Sequence, residues 1–289
     1  MTQTDLLEVY LAVVGAARGD GDLAGARLLS GQFHDVVLLG EVAYRFPRDE
    51  ESRRLLPART ALLRALRHCE MPVAIPGLVS DAAVGLPLGQ SHAVLDRVAG
   101  QPMEPDQFAE AAVQSGVITD LALFLDRLVE LGADAAIQEA VPRADPHEWQ
   151  RFADDVARVL FPLMSRDGRA RAEAELNRVV AVDPAGDALV HGDLGGTNLL
   201  WTGEARLAGV LDWDGAHLGN QADDIASIAV TVGWPLAAEL DAKRHGGQSP
   251  AFADARAIAA TFALQQALPA ALSGDKVSLD DGLTGYRER

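Results

Sequence analysis

Residues 189–201 read Leu189-Val190-His191-Gly192-Asp193-Leu194-Gly195-Gly196-Thr197-Asn198-Leu199-Leu200-Trp201. An Asp follows a His by two positions, and an Asn follows that Asp by five, with apolar residues at both ends. Fourteen positions after Asn198 comes Asp212, in Leu211-Asp212-Trp213-Asp214, again behind an apolar run. The pattern predicts a polar, glycine-rich loop between short buried extended pieces. Phosphoryl transfer needs a carboxylate near the acceptor hydroxyl and oxygen ligands that hold Mg²⁺ on nucleotide phosphates. Asp193 is the candidate base, Asn198 a neutral oxygen ligand and Asp212 a charged one. Each is unremarkable alone, as an Asp in a glycine-rich turn, an Asn in a turn or an Asp at a strand end. In this order and spacing they form a set. His191 is expected to hydrogen-bond backbone and brace the loop, and Gly192, Gly195 and Gly196 to permit its tight path.

The rest of the chain divides around this motif. Residues 5–18 read as an amphipathic helix. Extended pieces at 26–29, 36–39 and 42–46 follow, joined by Ser30-Gly31-Gln32 and Gly40-Glu41. Residues 49–67 read as a helix capped by Asp49, with Pro57 expected to kink or split it. Ala93–Leu95 is one more strand, and the stretch 96–102 is a connector. After it come helical patterns at 105–132, with a break near Ser115-Gly116, and at 146–163, 166–181, 221–232 and 250–272. Short strands at 188–190, 198–201 and 208–211 flank the motif. The expected class is α+β, a two-lobed protein-kinase-like fold. It comprises a small β-rich N-lobe that binds nucleotide (1–97) and a larger helical C-lobe (98–289) that carries the catalytic loop and the acceptor site. Internal repeats and low-complexity tracts are absent.

Ser30 and Gly31 lie where a phosphate-covering turn belongs, and Asp96 and Val98 where backbone groups meet a purine. A kinase-like strand normally carries a lysine on the phosphates. Here lysine occurs only at 243 and 276. Arg45, within Val42–Phe46, is the candidate replacement, with Arg48 the second choice, and an arginine fork must meet phosphate differently from an ammonium. The helix glutamate that would partner such a lysine has no evident counterpart. Glu50 and Glu51 stand at the start of 49–67, and Arg59 in its middle.

Net charge is −17, from 25 Lys and Arg against 42 Asp and Glu. Such a balance disfavours nucleic acid and anionic membranes as partners and suits cationic ligands. Asp214, two residues beyond Asp212, would point the same way in a strand; it is a candidate contact for a cationic acceptor, a helper at the metal or only a strand cap. Glu148 is a second candidate, and Asp193 itself must meet the acceptor. Asp223 and Asp224 are read as structural acids at a helix start. A single cysteine, Cys69, allows no disulfide framework and suits a reducing, cytoplasmic setting. The apolar stripe of residues 1–19 is interrupted by Asp5 and Glu8 and lacks a basic leader, so it does not read as a signal peptide. Apolar runs fall short of the roughly 18 residues of a membrane span.

Val190–Asn198, Val210–Asp214, Gly219–Ala226, Arg45–Arg48 and Leu95–Gly100 resemble the aminoglycoside phosphotransferase family of antibiotic kinases, over nearly the whole chain. The segments at 148–153, 160–165, 261–268 and 281–286 are similar, within that family, to the phosphotransferases of viomycin and capreomycin. The resemblance implies an enzyme that uses ATP and Mg²⁺ to phosphorylate a serine-type hydroxyl of a cationic cyclic peptide (tuberactinomycin) antibiotic. It implies a resistance function. The chain departs from the family in lacking the strand lysine and helix glutamate, and in Asn220-Gln221 where Asp-Pro is frequent. Other acceptors remain open: an aminoglycoside, a macrolide, or a small metabolite such as homoserine, choline or a sugar. A non-catalytic nucleotide-binding module is a different class of reading, and the presence of Asp193, Asn198 and Asp212 together speaks against it. The sequence leaves GTP in place of ATP, the hydroxyl modified and the oligomeric state undecided.

Overall fold

A computed structural model describes residues 3–19, 22–31, 33–80, 83 and 86–287, with Gln3 described by its backbone alone. Gln32, in the predicted phosphate turn, lies outside these residues.

Helix α1 (Gln3–Arg18) leads into an antiparallel meander of β1 (Arg27–Ser30), β2 (His34–Leu39) and β3 (Val42–Pro47). Helix α2 (Glu50–Leu66) follows, then β4 (Leu78–Ser80) and β5 (Ala93–Asp96). Together the strands form one five-stranded sheet in the order β1-β2-β3-β5-β4. Tyr10 and Val14 of α1 pack on Val37, Tyr44 and Phe46, with the Tyr10 and Phe46 rings stacked 4.2 Å apart. The Asp49 side chain caps α2 by accepting from the Ser52 amide. The predicted kink or split at Pro57 is not a break, because α2 runs through it as one element. The Thr60 hydroxyl reaches back to the Leu56 and Pro57 carbonyls at 3.0 and 2.9 Å.

A 3₁₀ turn at Gln107–Ala109 precedes α3 (Ala111–Leu131). Helix α3 passes Ser115-Gly116 unbroken, contrary to expectation, because Val117, Leu121, Phe124, Leu125 and Leu128 bury one continuous face. Helices α4 (Ala135–Ala140), α5 (Glu148–Val159) and α6 (Arg166–Val180) come next. Two small ribbons then shape the site. Strand β6 (Ala188–Val190) pairs with β9 (His217–Gly219), and β7 (Leu199–Trp201) with β8 (Leu207–Val210). The second ribbon is held by segments flanking the large sheet: Ala74 exchanges hydrogen bonds with Ala208 and Val210, and Gln101 with Trp201.

The C-terminal helices are α7 (Ala222–Val232), α8 (Trp234–His245), α9 (Pro250–Ala259), α10 (Phe262–Ser273), α11 (Lys276–Gly282) and α12 (Thr284–Arg287). The predicted helix 250–272 is two helices. The chain turns at Ala260-Thr261, where Thr261 is buried and its hydroxyl bonds the Ile258 carbonyl at 2.7 Å. Elements β9, α4, α8, α11 and α12 were not expected from the sequence, while β4 falls among the short extended pieces between Pro76 and Pro87. The α+β two-layer division, small sheet first and helices after, matches the expected class.

Candidate active site

The loop between β6 and β7 carries Asp193 and Asn198, and the turn after β8 carries Asp212. The loop is short because Gly192 takes φ +84° and lies against the 213–215 turn, where a Cβ would meet the Gly215 carbonyl at 2.5 Å. At Gly195 a Cβ would come within 2.6 Å of Thr231 Oγ1 and 2.7 Å of the Ser227 carbonyl, so the loop sits directly on α7. Thr231 Oγ1 accepts from the Gly196 amide at 2.7 Å and donates to the Ser227 carbonyl at 2.8 Å. Asp224, fully buried in the first turn of α7, accepts from the His191 and Gly192 amides at 2.9 Å each. Burial pushes the Asp224 carboxyl up to about 7, against the pull of those two amides. Asp224 is thus the structural acid expected, and its particular task is to hold the loop.

His191 behaves as predicted. It is fully buried, Nε2 lies 2.8 Å from the Leu211 carbonyl, and Nδ1 accepts from the Asp193 amide at 3.3 Å. Those partners fix the Nε2–H tautomer. Burial pushes its pKa down to about 4, so the ring is neutral. One imidazole therefore ties the loop that carries Asp193 to the strand end before Asp212, and its ring packs edge-on to Trp213 at 4.8 Å.

Asp193 and Asn198 touch: the Asn198 amide donates to Asp193 Oδ2 at 2.8 Å and to its carbonyl at 3.0 Å. That leaves the Asn198 side-chain oxygen turned away from Asp193. Desolvation and the nearby Asp212 charge raise the Asp193 pKa, while the Asn198 hydrogen bond opposes the rise. Asp212 stands 46% exposed with φ 58° and ψ 72°, a left-handed conformation uncommon for a non-glycine residue. An amide oxygen and a carboxylate are hard donors suited to Mg²⁺, with phosphate and water completing the shell. Among the described residues no group of three or more His, Cys, Asp or Glu can hold an ion unaided. Two protein ligands plus nucleotide fit that arrangement.

Asp214 is placed otherwise than the sequence suggested. The strand ends at Val210, Asp212 turns left-handed, and Trp213–Gly215 forms a 3₁₀ turn, so Asp212 and Asp214 do not share a face. The Asp214 side chain is only 14% exposed. Arg45 grips it at 2.6 and 2.8 Å, and Arg59 of α2 at 3.0 Å. Both of its oxygens have arginine partners, so it ties β3 and α2 to this turn. Arg45 also donates to Asp212 at 2.7 Å. Burial works against the Arg45 charge, but Asp214 and Asp212 outweigh it and the guanidinium is held above its ordinary value. His34 completes the group, with Nδ1 3.5 Å from Asp214 and Nε2 3.3 Å from Arg59. Burial, aided by Arg45, pushes the His34 pKa down to about 3, so it is neutral.

Ser30 ends β1 and Gly31 follows it, where the Gly31 amide donates to the His34 carbonyl at 2.8 Å and Arg48 donates to the Gly31 carbonyl. The turn is thus tied through the His34 backbone to the residue whose ring meets Asp214. Asp96 and Arg97 donate their amides to the Gly77 and Glu41 carbonyls, so those N–H groups are not offered to a base. Val98 sits beyond the strand and packs against Gly209. Glu148 is exposed in the first turn of α5, near Asp223. Burial pushes Asp223 up to about 6; His217, 3.6 Å away, opposes the rise and Glu148 adds to it. Residues 142–144 pair with β9, which brings this acidic patch beside β6–β9. The roles of Arg59, His34, Asp223 and Thr231 were not read from the sequence. Arg59 had a signal, since it shares a helix face with buried Leu56 and Leu63.

A five-stranded sheet beside a helical layer, with Asp193 and Asn198 in contact and Asp212 reaching Arg45 of the sheet, is the two-lobed arrangement of a phosphotransferase. The chain belongs to the phosphotransferase enzyme family, whose model matches residues 25–262. It is 38% identical over 285 residues to viomycin phosphotransferase of Streptomyces vinaceus, covering 98% of this chain and 99% of that one. Its fold is similar to the GDP complex of an aminoglycoside 2'-phosphotransferase (TM-score 0.81, 20% identity, 95% of each chain). It is also similar to the macrolide 2'-phosphotransferase of Brachybacterium faecium (TM-score 0.67, 21% identity, 96% of this chain and 99% of that one). No helix among the described residues is long and apolar enough to cross a membrane.

Proposed function

We propose that this protein is an ATP-dependent O-phosphotransferase that inactivates a cationic tuberactinomycin antibiotic of the viomycin and capreomycin type, in the cytoplasm. The observation that carries the reaction class is the convergence of Asp193, Asn198 and Asp212 on one loop and one turn held together by His191. The acceptor class rests on the viomycin phosphotransferase relative, with support from the net charge of −17.

Residues 1–97 form the nucleotide-holding lobe and 98–289 the lobe that carries the base and receives the antibiotic. Asp193 accepts the proton of the acceptor hydroxyl at Oδ, with its raised pKa favouring proton uptake and Asn198 fixing its orientation. Asn198 and Asp212 hold Mg²⁺, which supplies charge neutralisation on the phosphates when bound. Ser30 and Gly31 cover the phosphates, the connector at Asp96–Val98 borders the base, and Arg45 reaches the phosphates from β3. Exposed Glu148, with the partly buried Asp223 beside it, draws the cationic peptide toward the loop. Incubation with Mg·ATP and each of viomycin, capreomycin, kanamycin, erythromycin and choline, with products read by mass, tests this reading. Phosphate on the cyclic peptides alone is expected. Phosphate on kanamycin or erythromycin instead would reassign the acceptor, and no product on any would remove the enzymatic reading.

A further inference from the structure

We propose that Arg59 is a positioning residue, and that Arg45, Asp214 and Arg59 form a bridge whose charges are inverted relative to a strand cation paired with a helix carboxylate. Here the strand and the helix both supply the cation, Arg45 from β3 and Arg59 from α2. The carboxylate comes from the turn after β8. Asp214 receives both Arg45 amino groups at 2.6 and 2.8 Å and Arg59 at 3.0 Å, so one acid pins three elements together. All three side chains are shielded, at 13%, 14% and 16% exposure, which strengthens their attraction relative to surface pairs. The absence of a helix glutamate is thereby explained, because the helix contributes the opposite sign.

The inference rests on the reading that this cleft takes Mg·nucleotide. Arg45 holds Asp214 and, with the same Nη2, the candidate metal ligand Asp212 at 2.7 Å. The formal charges of Asp212 and Asp214 balance those of Arg45 and Arg59 in this cluster. Were Asp212 to hold Mg²⁺, Arg45 would give up this one partner and its Nη2 would be open to a phosphate oxygen, while its Nη1 stays on Asp214. Asp214 remains neutralised because Arg59 does not leave it. Arg59 therefore lets Arg45 exchange Asp212 for phosphate without stranding a shielded carboxylate. Neutral His34, which faces Arg59 through Nε2 and Asp214 through Nδ1, keeps the second side of the pair in place.

The test is Arg59→Met, which keeps most of the apolar stem, beside Arg59→Lys and Asp214→Asn. Mg·ADP affinity is measured by calorimetry, and backbone hydrogen exchange of α2 without nucleotide. The methionine variant is expected to bind Mg·ADP at least tenfold more weakly and to exchange its α2 amides faster. Its KM for ATP rises while its KM for the acceptor stays within twofold. The lysine variant recovers most of the loss, and Asp214→Asn reproduces it. Wild-type Mg·ADP affinity and unchanged α2 protection in Arg59→Met and Asp214→Asn would overturn the proposal. If the wild-type chain itself fails to bind Mg·ADP, the nucleotide reading is at fault, and the exchange measurement still decides the bridge.

Discussion

Replacing His191 with phenylalanine isolates the link between the two halves of the site. The ring volume and the edge contact with Trp213 are kept, while both polar contacts of the imidazole are lost. The Leu211 carbonyl and the Asp193 amide, bonded at 2.8 and 3.3 Å, are then left without that partner. A buried backbone group stripped of its partner costs about 1–3 kcal/mol, and the longer bond belongs at the low end. The sum is about 3 kcal/mol at neutral pH, a large share of a typical stability of about 5–15 kcal/mol. The loss depends on pH with a definite sign. His191 has a folded pKa of about 4, below the unfolded 6.5. The neutral ring's contribution is thus complete above the unfolded value and is lost as pH falls toward the folded one. At pH 5 the wild-type protein has given up about 2 kcal/mol that the variant never had, so the difference narrows to about 1 kcal/mol. Urea unfolding followed by tryptophan fluorescence at pH 7 and pH 5 measures both gaps. Turnover at pH 7 should fall about 100-fold as the loop and the Asp212 turn lose registration. Equal stability of variant and wild type at pH 7, or a gap that does not shrink in acid, would refute the assigned tautomer and burial.

Asp193→Ala should abolish phosphoryl transfer while Mg·ADP affinity stays within threefold, read by calorimetry beside a turnover assay; residual turnover near wild type would remove Asp193 as the base. Gly195→Ala drives a methyl group into Thr231 and the Ser227 carbonyl and should cost about 1–3 kcal/mol in thermal unfolding, with a matching fall in kcat. Glu148→Gln should raise the KM for a cationic antibiotic severalfold and leave the KM for ATP unchanged, and a reversed pattern would detach this patch from acceptor binding.

The site's chemistry was legible because its spacing is local. His191, Asp193 and Asn198 lie on one loop whose flanking apolar triplets announce β6 and β7, and Asp212 follows one hairpin later. What the sequence hid depends on tertiary geometry. The i, i+2 reading of Asp212 and Asp214 assumed an extended chain, and the left-handed turn at Asp212 redirects Asp214 beneath β3. Arg59 could be seen on an apolar helix face, but not its partner, which is 155 residues away. The pairing of Glu148 with Asp223 likewise depends on residues 142–144 docking along β9. An internal break was expected at Ser115-Gly116, where the buried face of α3 runs through, and α2 likewise is not split at Pro57.

Transfer of phosphate from ATP to viomycin, with and without Asp193, measured by mass spectrometry of the antibiotic, reaches the central claim most directly. The account predicts a single added phosphate on a serine-type hydroxyl with the wild-type protein and unmodified antibiotic with Asp193→Ala. Unmodified viomycin with the wild-type protein, or equal phosphorylation by both, would contradict it.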